Sequence, residues 1–284
     1  MIRTSRQLKA LVRNLSKGDS TKAQLIIRSY VIERFLERLS LSRYKNNLVL
    51  KGGTLIASLV GLDNRSTMDV DTALMNLPLN EESAEKIVSE IVSIKLDDGM
   101  RFKIISVFQI LDEAEYPGIR IILDAMLENM QTPLKIDLSS GDILTPGEVS
   151  HSFRLLFEER SIAILAYNVE TILAEKIETL LSRGTANTRM RDFYDIYILA
   201  GTQTHNIDMD TLKEALFNTG KKRGSSDLIA DVDLILDEIS RSDELVNLWT
   251  NYQRKFDYAS GIIWENIMIL VKCLMKNIVD VNAK

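Results

Sequence analysis

The sequence predicts an α+β protein: a mixed β-sheet flanked by helices over residues 1–167, followed by a helical domain over 168–284. Three observations carry that prediction. Residues 68–74, MDVDTAL, alternate in the period of two that marks a strand. Residues 21–40, TKAQLIIRSYVIERFLERLS, space their apolar groups as a helix does. Beyond about residue 168 every periodic stretch reads as helix.

In the helix over 21–40, Leu25, Val31, Ile32, Phe35, Leu36 and Leu39 recur among charges, with Ser20 or Thr21 as the N-cap. NLVL (47–50) is a short apolar run that ends at Gly52 and Gly53, as a buried strand entering a tight turn would. TLIASLV then suits a short helix. From Asn80, NEESAEKIVSEIVSIK is amphipathic, with acids in its first turn where the helix dipole favours them. RFKIISVFQI, IRIILDAML and LKIDLS are three strands rich in β-branched and aromatic residues, with a turn at YPG (116–118). In the second half, VETILAEKIETLLSR, RMRDFYDIYILAG, DMDTLKEALFNTG, SDLIADVDLILDEIS and the C-terminal stretch follow as helices. Gly184, Gly201 and Gly220 stand at positions that suit helix ends.

Composition narrows the chemistry. With 45% hydrophobic residues over 284 positions, the chain has material for a sizeable core. A lone Cys273 excludes an intrachain disulfide and a cysteine zinc site, which suits a reducing cytoplasm. Two histidines, His151 and His205, argue against a histidine-ligated metal centre or a Ser-His-Asp hydrolase. The N-terminal stretch lacks the apolar core of a signal peptide, and Glu265 and Lys272 interrupt the most apolar C-terminal run, so no membrane segment is expected. A net charge of −5 speaks against coating nucleic acid by charge alone. The clusters Lys221, Lys222, Arg223 and Arg183, Arg189, Arg191 each read first as a solvated surface loop or helix end.

The chemistry concentrates in KGGTLIASLVGLDNRSTMDVDTAL (51–74). On a strand, Asp69 and Asp71 share one face at a separation of roughly 7 Å. Lys135 and Asp137 share a face in the same way on LKIDLS. Three carboxylates on neighbouring strands, without His or Cys, form a hard oxygen set suited to Mg²⁺. Such a set holds metal against a nucleoside triphosphate. Gly52, Gly53 and Thr54 add the phosphate half: backbone N–H groups that approach closely, a hydroxyl and a helix N-terminus. Either element alone is common for steric reasons or on exposed strands, so it is their combination that points to a site.

GGT, MDVDTAL and a third acid on a later strand together resemble the polymerase-β-type nucleotidyltransferase superfamily. More narrowly, KGGTLIASLV, STMDVDTAL, LKIDLS and VETILAEKIETLLSRGTANTRMRDFYDIYIL resemble the AbiEii toxins of type IV toxin–antitoxin and abortive-infection systems. That resemblance implies a nucleotidyltransferase core completed by the helical domain. It implies transfer of NMP from an NTP to RNA, with the tRNA 3′ end the leading acceptor, Mg²⁺ as cofactor and pyrophosphate released. Translation would then be blocked in the cytoplasm, under control of a cognate antitoxin that need not bind this chain. Carried over, Gly53 and Thr54 would hold phosphates, Asp69 and Asp71 the metal, and Lys135 and Asp137 would match the family's Lys-x-Asp element. Lys176 would contact the triphosphate, and Asp192 and Asp195 stand in RDxxDI. The family's arginine shortly after GGT is missing, and Arg65 is expected to replace it at the nucleotide. Asp137 or Asp195 would activate the attacking hydroxyl. Read without the family, Lys176 is a snorkelling lysine on an amphipathic helix. Asp192 has Arg191 beside it as a local partner, and which of Asp192 and Asp195 faces the nucleotide stays open. Two other functions fit the same residues: NMP transfer to a protein Ser or Tyr, and nucleotide binding without catalysis.

Overall fold

A computed structural model describes residues 1–111 and 117–280 and divides the chain into two compact units. The first comprises residues 1–62, 66–142 and 149–166; the second comprises 63–65, 143–148 and 167–284.

The first unit is built on one seven-stranded sheet of order β3-β4-β5-β2-β1-β7-β6. Its strands are β1 (Leu48–Lys51), β2 (Asp69–Leu74), β3 (Met100–Leu111), β4 (Pro117–Leu127), β5 (Met130–Ser140), β6 (Val149–Arg154) and β7 (Ser161–Ala166). β2 runs parallel to β5 and antiparallel to β1, so the sheet is mixed. Helices α1 (Ser5–Ser16), α2 (Ser20–Leu41), α3 (Gly52–Val60) and α4 (Glu81–Val92) accompany it. α2 packs on β5 and β7, and α4 on β3 and β4. Phe35, Leu36 and Leu39 of α2 and Ile87, Val88 and Ile91 of α4 are buried, each such side chain contributing about 1.5–3 kcal/mol.

Several local expectations shift. The N-cap of α2 is Asp19, whose carboxylate accepts from Thr21 N–H and Lys22 N–H, in place of Ser20 or Thr21. Several charges of α2 are buried: Arg38 makes a two-pronged pair with Asp98 at 2.7 and 2.9 Å, and Glu33 accepts from Leu156 N–H at 2.8 Å. α1, β6 and β7 are additional elements. In the YPG turn Tyr116 lies outside the described residues, and Pro117 and Gly118 already belong to β4.

Among the described residues the second unit carries the α-helices α5 (Val169–Arg183), α6 (Met190–Thr202), α7 (Met209–Arg223), α8 (Val232–Arg241), α9 (Asp243–Lys255) and α10 (Trp264–Asp280). α5 packs on α6 and α7, and α10 on α6, α7 and α8, enclosing Leu173, Ile177, Phe193, Leu199 and Leu212. Gly184 ends α5 with φ 51°. Gly201 and Gly220 are internal to α6 and α7, and α7 stops instead at Gly224, φ 72°. No helix among the described residues is long and apolar enough to cross a membrane.

Candidate active site

In the first unit the β2–β5 register sets Asp69 opposite Lys135 and Asp71 opposite Asp137. Val70, Thr72, Ile136 and Leu138 are buried on the reverse face, so the four charged residues share the more open one. The row through Asp71 continues on both sides: β1 brings Lys51 opposite Asp71, and β4 brings Arg120 opposite Asp137. Lys51, Asp71, Asp137 and Arg120 thus stand side by side on four adjacent strands, two anions between two cations. Removal from water, then the nearby Asp137, push the Asp71 carboxyl up to about 6, with Lys51 pulling the other way.

The turn before α3 is cut to fit this row. Gly52 has φ +65°, and a Cβ placed there would lie 2.1 Å from Asp71 Oδ2. The helix has no side-chain cap; Gly53 N–H reaches Asp71 Oδ2 across a long 3.4 Å. Thr54 departs from expectation: its hydroxyl donates to the Asp69 carbonyl at 2.7 Å, and the residue is buried. It fastens α3 to β2. Gly52→Ala is therefore expected to displace Asp71 and to strain a left-handed backbone. Nucleotide transfer should fall at least about a hundredfold, with a lower melting temperature, in a transfer assay paired with a thermal melt.

The donor set here is all oxygen, and its crowded carboxylates call for a cation, so Asp69 and Asp71 fit a divalent metal. Among the described residues, however, no group of three or more His, Cys, Asp or Glu is gathered as a metal cage. Asp137 is instead gripped by Arg120, whose Nε and Nη2 donate to its two oxygens at 2.8 and 2.7 Å.

The second unit gathers the remaining candidates. Lys176 Nζ on α5 lies 2.6 Å from Asp192 Oδ1 and 2.9 Å from Asp195 Oδ2, both on α6. Burial alone would lower the Lys176 pKa, but the two carboxylates outweigh it and hold the ammonium above its ordinary value. Asp195 receives Arg65 as well, through Nε at 2.6 Å and Nη2 at 3.1 Å. Burial would raise the Asp195 carboxyl, yet Lys176 and Arg65 bring it below the usual carboxylate range. Asp192 pairs with Arg189 at 2.7 Å, whereas Arg191 is exposed with its guanidinium 5.9 Å from the Phe256 ring centroid. Arg65, expected at the nucleotide, is only 2% exposed and built into this ion cluster. Tyr194 anchors the same segment by donating to the Asn64 carbonyl.

Sequence reasoning passed over Arg120 and Lys51. Lys51 adjoins the glycines and carried a local signal. Arg120 sits in the apolar run IRIIL, and only the hairpin register reveals its partner.

A mixed sheet bearing Asp-x-Asp beside a Gly-Gly turn, flanked by helices, is a nucleotidyltransferase fold. A crystal structure of a proposed nucleotidyltransferase from H. pylori shares it, with a TM-score of 0.50 at 16% identity, covering 91% of this chain and 97% of that one. JHP933 from Helicobacter pylori aligns with a TM-score of 0.49 at 15% identity, over 92% and 95% of the two chains. Curated proteins give no match. The family is decided by the sequence profile of the nucleotidyl transferase AbiEii toxin of type IV toxin–antitoxin systems, which matches residues 34–265. The chain belongs to the AbiEii family and is a nucleotidyltransferase.

Proposed function

We propose that this toxin transfers NMP from an NTP to RNA, at the 3′ end of tRNA, with Mg²⁺ and release of pyrophosphate, so that translation in the cytoplasm stops. The observation that carries the reading is the charged row on the sheet, with Asp71 closed against Gly52. Membership in a type IV toxin family supports a cognate antitoxin and a nucleotide substrate.

Asp69 and Asp71 would hold the divalent cation, which when bound neutralises charge on the triphosphate and the departing pyrophosphate. The amides of Gly52 and Gly53 face the phosphates, and Lys135 supplies an exposed ammonium on the same strand face as Asp137. The family resemblance assigns Lys176 to negative charge on the triphosphate, and its ammonium is paired with Asp192 at 2.6 Å. Asp137 accepts the proton of the attacking ribose hydroxyl as the new oxygen–phosphorus bond forms and the bond to pyrophosphate breaks. Asp195 is the weaker candidate for that proton, because it is fully buried between Arg65 and Lys176, whereas Asp137 keeps 19% side-chain exposure beside its partner Arg120.

Incubation with each α-labelled NTP, purified tRNA and a protein lysate tests the proposal. Label on the RNA 3′ end, from one NTP and abolished by EDTA, is the expected result. Label on protein instead would overturn the acceptor, and no label anywhere would overturn the transfer itself.

A further inference from the structure

The half of the charged row that nothing above explains is its outer cation, Arg120. We propose that Arg120 is a positioning residue of the site: its guanidinium stands in for the metal in the nucleotide-free protein, holding Asp137 until a divalent cation draws that carboxylate away. The proposal rests on the metal-binding reading of Asp69 and Asp71.

Four observations carry it. The two-pronged pair occupies both Asp137 oxygens, at 2.8 and 2.7 Å, and among the described residues no three carboxylates are gathered as a metal cage. Arg120 and Asp137 are register partners on β4 and β5, so the sheet itself presents the fork to the carboxylate. The Arg120 and Asp137 side chains retain 31% and 19% exposure, so the pair is open enough to part without leaving a buried charge stranded. At the other end of the row, Lys51 is engaged by Asp142 at 2.8 Å, while Arg120 meets its inner carboxylate with a two-pronged guanidinium fork. An arginine cannot neutralise by losing its proton, so only another cation can relieve Asp137 of it.

The test is Mn²⁺ binding to the nucleotide-free full chain, by calorimetry and electron paramagnetic resonance, on wild type, Arg120→Ala, Arg120→Lys and Asp69→Ala. Thermal melts with and without Mg²⁺ accompany it. With the competing cation gone, Arg120→Ala should bind Mn²⁺ about tenfold more tightly than wild type. Arg120→Lys, which keeps the charge and loses the fork, should fall between and remains informative should the alanine variant fold poorly. Mg²⁺ should raise the melting temperature of Arg120→Ala by more than it raises that of wild type. Equal Mn²⁺ affinities with a metal-independent drop in melting temperature would reduce the pair to a structural one and overturn the proposal. Absence of Asp69-dependent Mn²⁺ binding in every variant would instead remove the metal reading, and the proposal with it.

Discussion

Asp69→Ala is expected to yield a folded protein that transfers nucleotide at least about a hundredfold more slowly, since on the proposed reading it loses a metal carboxylate and with it several kcal/mol of transition-state stabilisation. The fold should survive because Asp69 serves the structure through its backbone. Its carbonyl accepts from the Thr54 hydroxyl at 2.7 Å and the Thr67 hydroxyl at 3.2 Å, and alanine keeps that carbonyl. The side chain stands next to Asp71, so its removal also relieves like-charge crowding. Stability should stay within about 0.5 kcal/mol of wild type. A transfer assay with a parallel denaturation curve checks both halves. A folded Asp69→Ala enzyme with unimpaired transfer would refute the assignment of this carboxylate.

Asp195→Ala should behave in the opposite way and destabilise the protein by about 3–5 kcal/mol, the cost of breaking a buried ion pair from one side. Arg65, 2% exposed, loses its two-pronged partner, and Lys176 loses one of its two carboxylates. Urea denaturation of the variant reads the loss. A midpoint unchanged from wild type would show that the cluster contributes nothing to folding. The same carboxylates set an acid limit. Asp192 and Asp195 both have folded-state pKa values below the ordinary 3.8. Their stabilisation is therefore fully present above that value and is lost as pH falls through the lower folded-state values. Loss of activity in Asp195→Ala would accompany loss of structure, which separates its role from that of Asp69.

What the sequence disclosed follows from how local each feature is. Alternation in MDVDTAL is enough to put Asp69 and Asp71 on one face, and helical spacing is enough for α2, α4 and α5. The approach of β2 to β5, which sets Asp71 against Asp137, is a pairing across 66 residues and leaves no local trace. Arg65 and Asp195 are 130 positions apart, so a residue that looks like an exposed loop arginine proves to be a buried counter-ion. β6 (VSHSFR) is a short edge strand, largely exposed, and so carries little apolar signal. Thr54 misled through economy: one hydroxyl proton cannot serve both a phosphate and the Asp69 carbonyl, and the fold uses it for the carbonyl.

The two compact units are woven from one thread, for the chain changes unit after residues 62, 65, 142, 148 and 166. A gene fragment encoding 168–284 would lack Arg65, the counter-ion of Asp195, and the 143–148 segment whose Thr145 receives Asn168 and Asn218. Recombination at a single breakpoint therefore cannot deliver the helical unit intact to another protein.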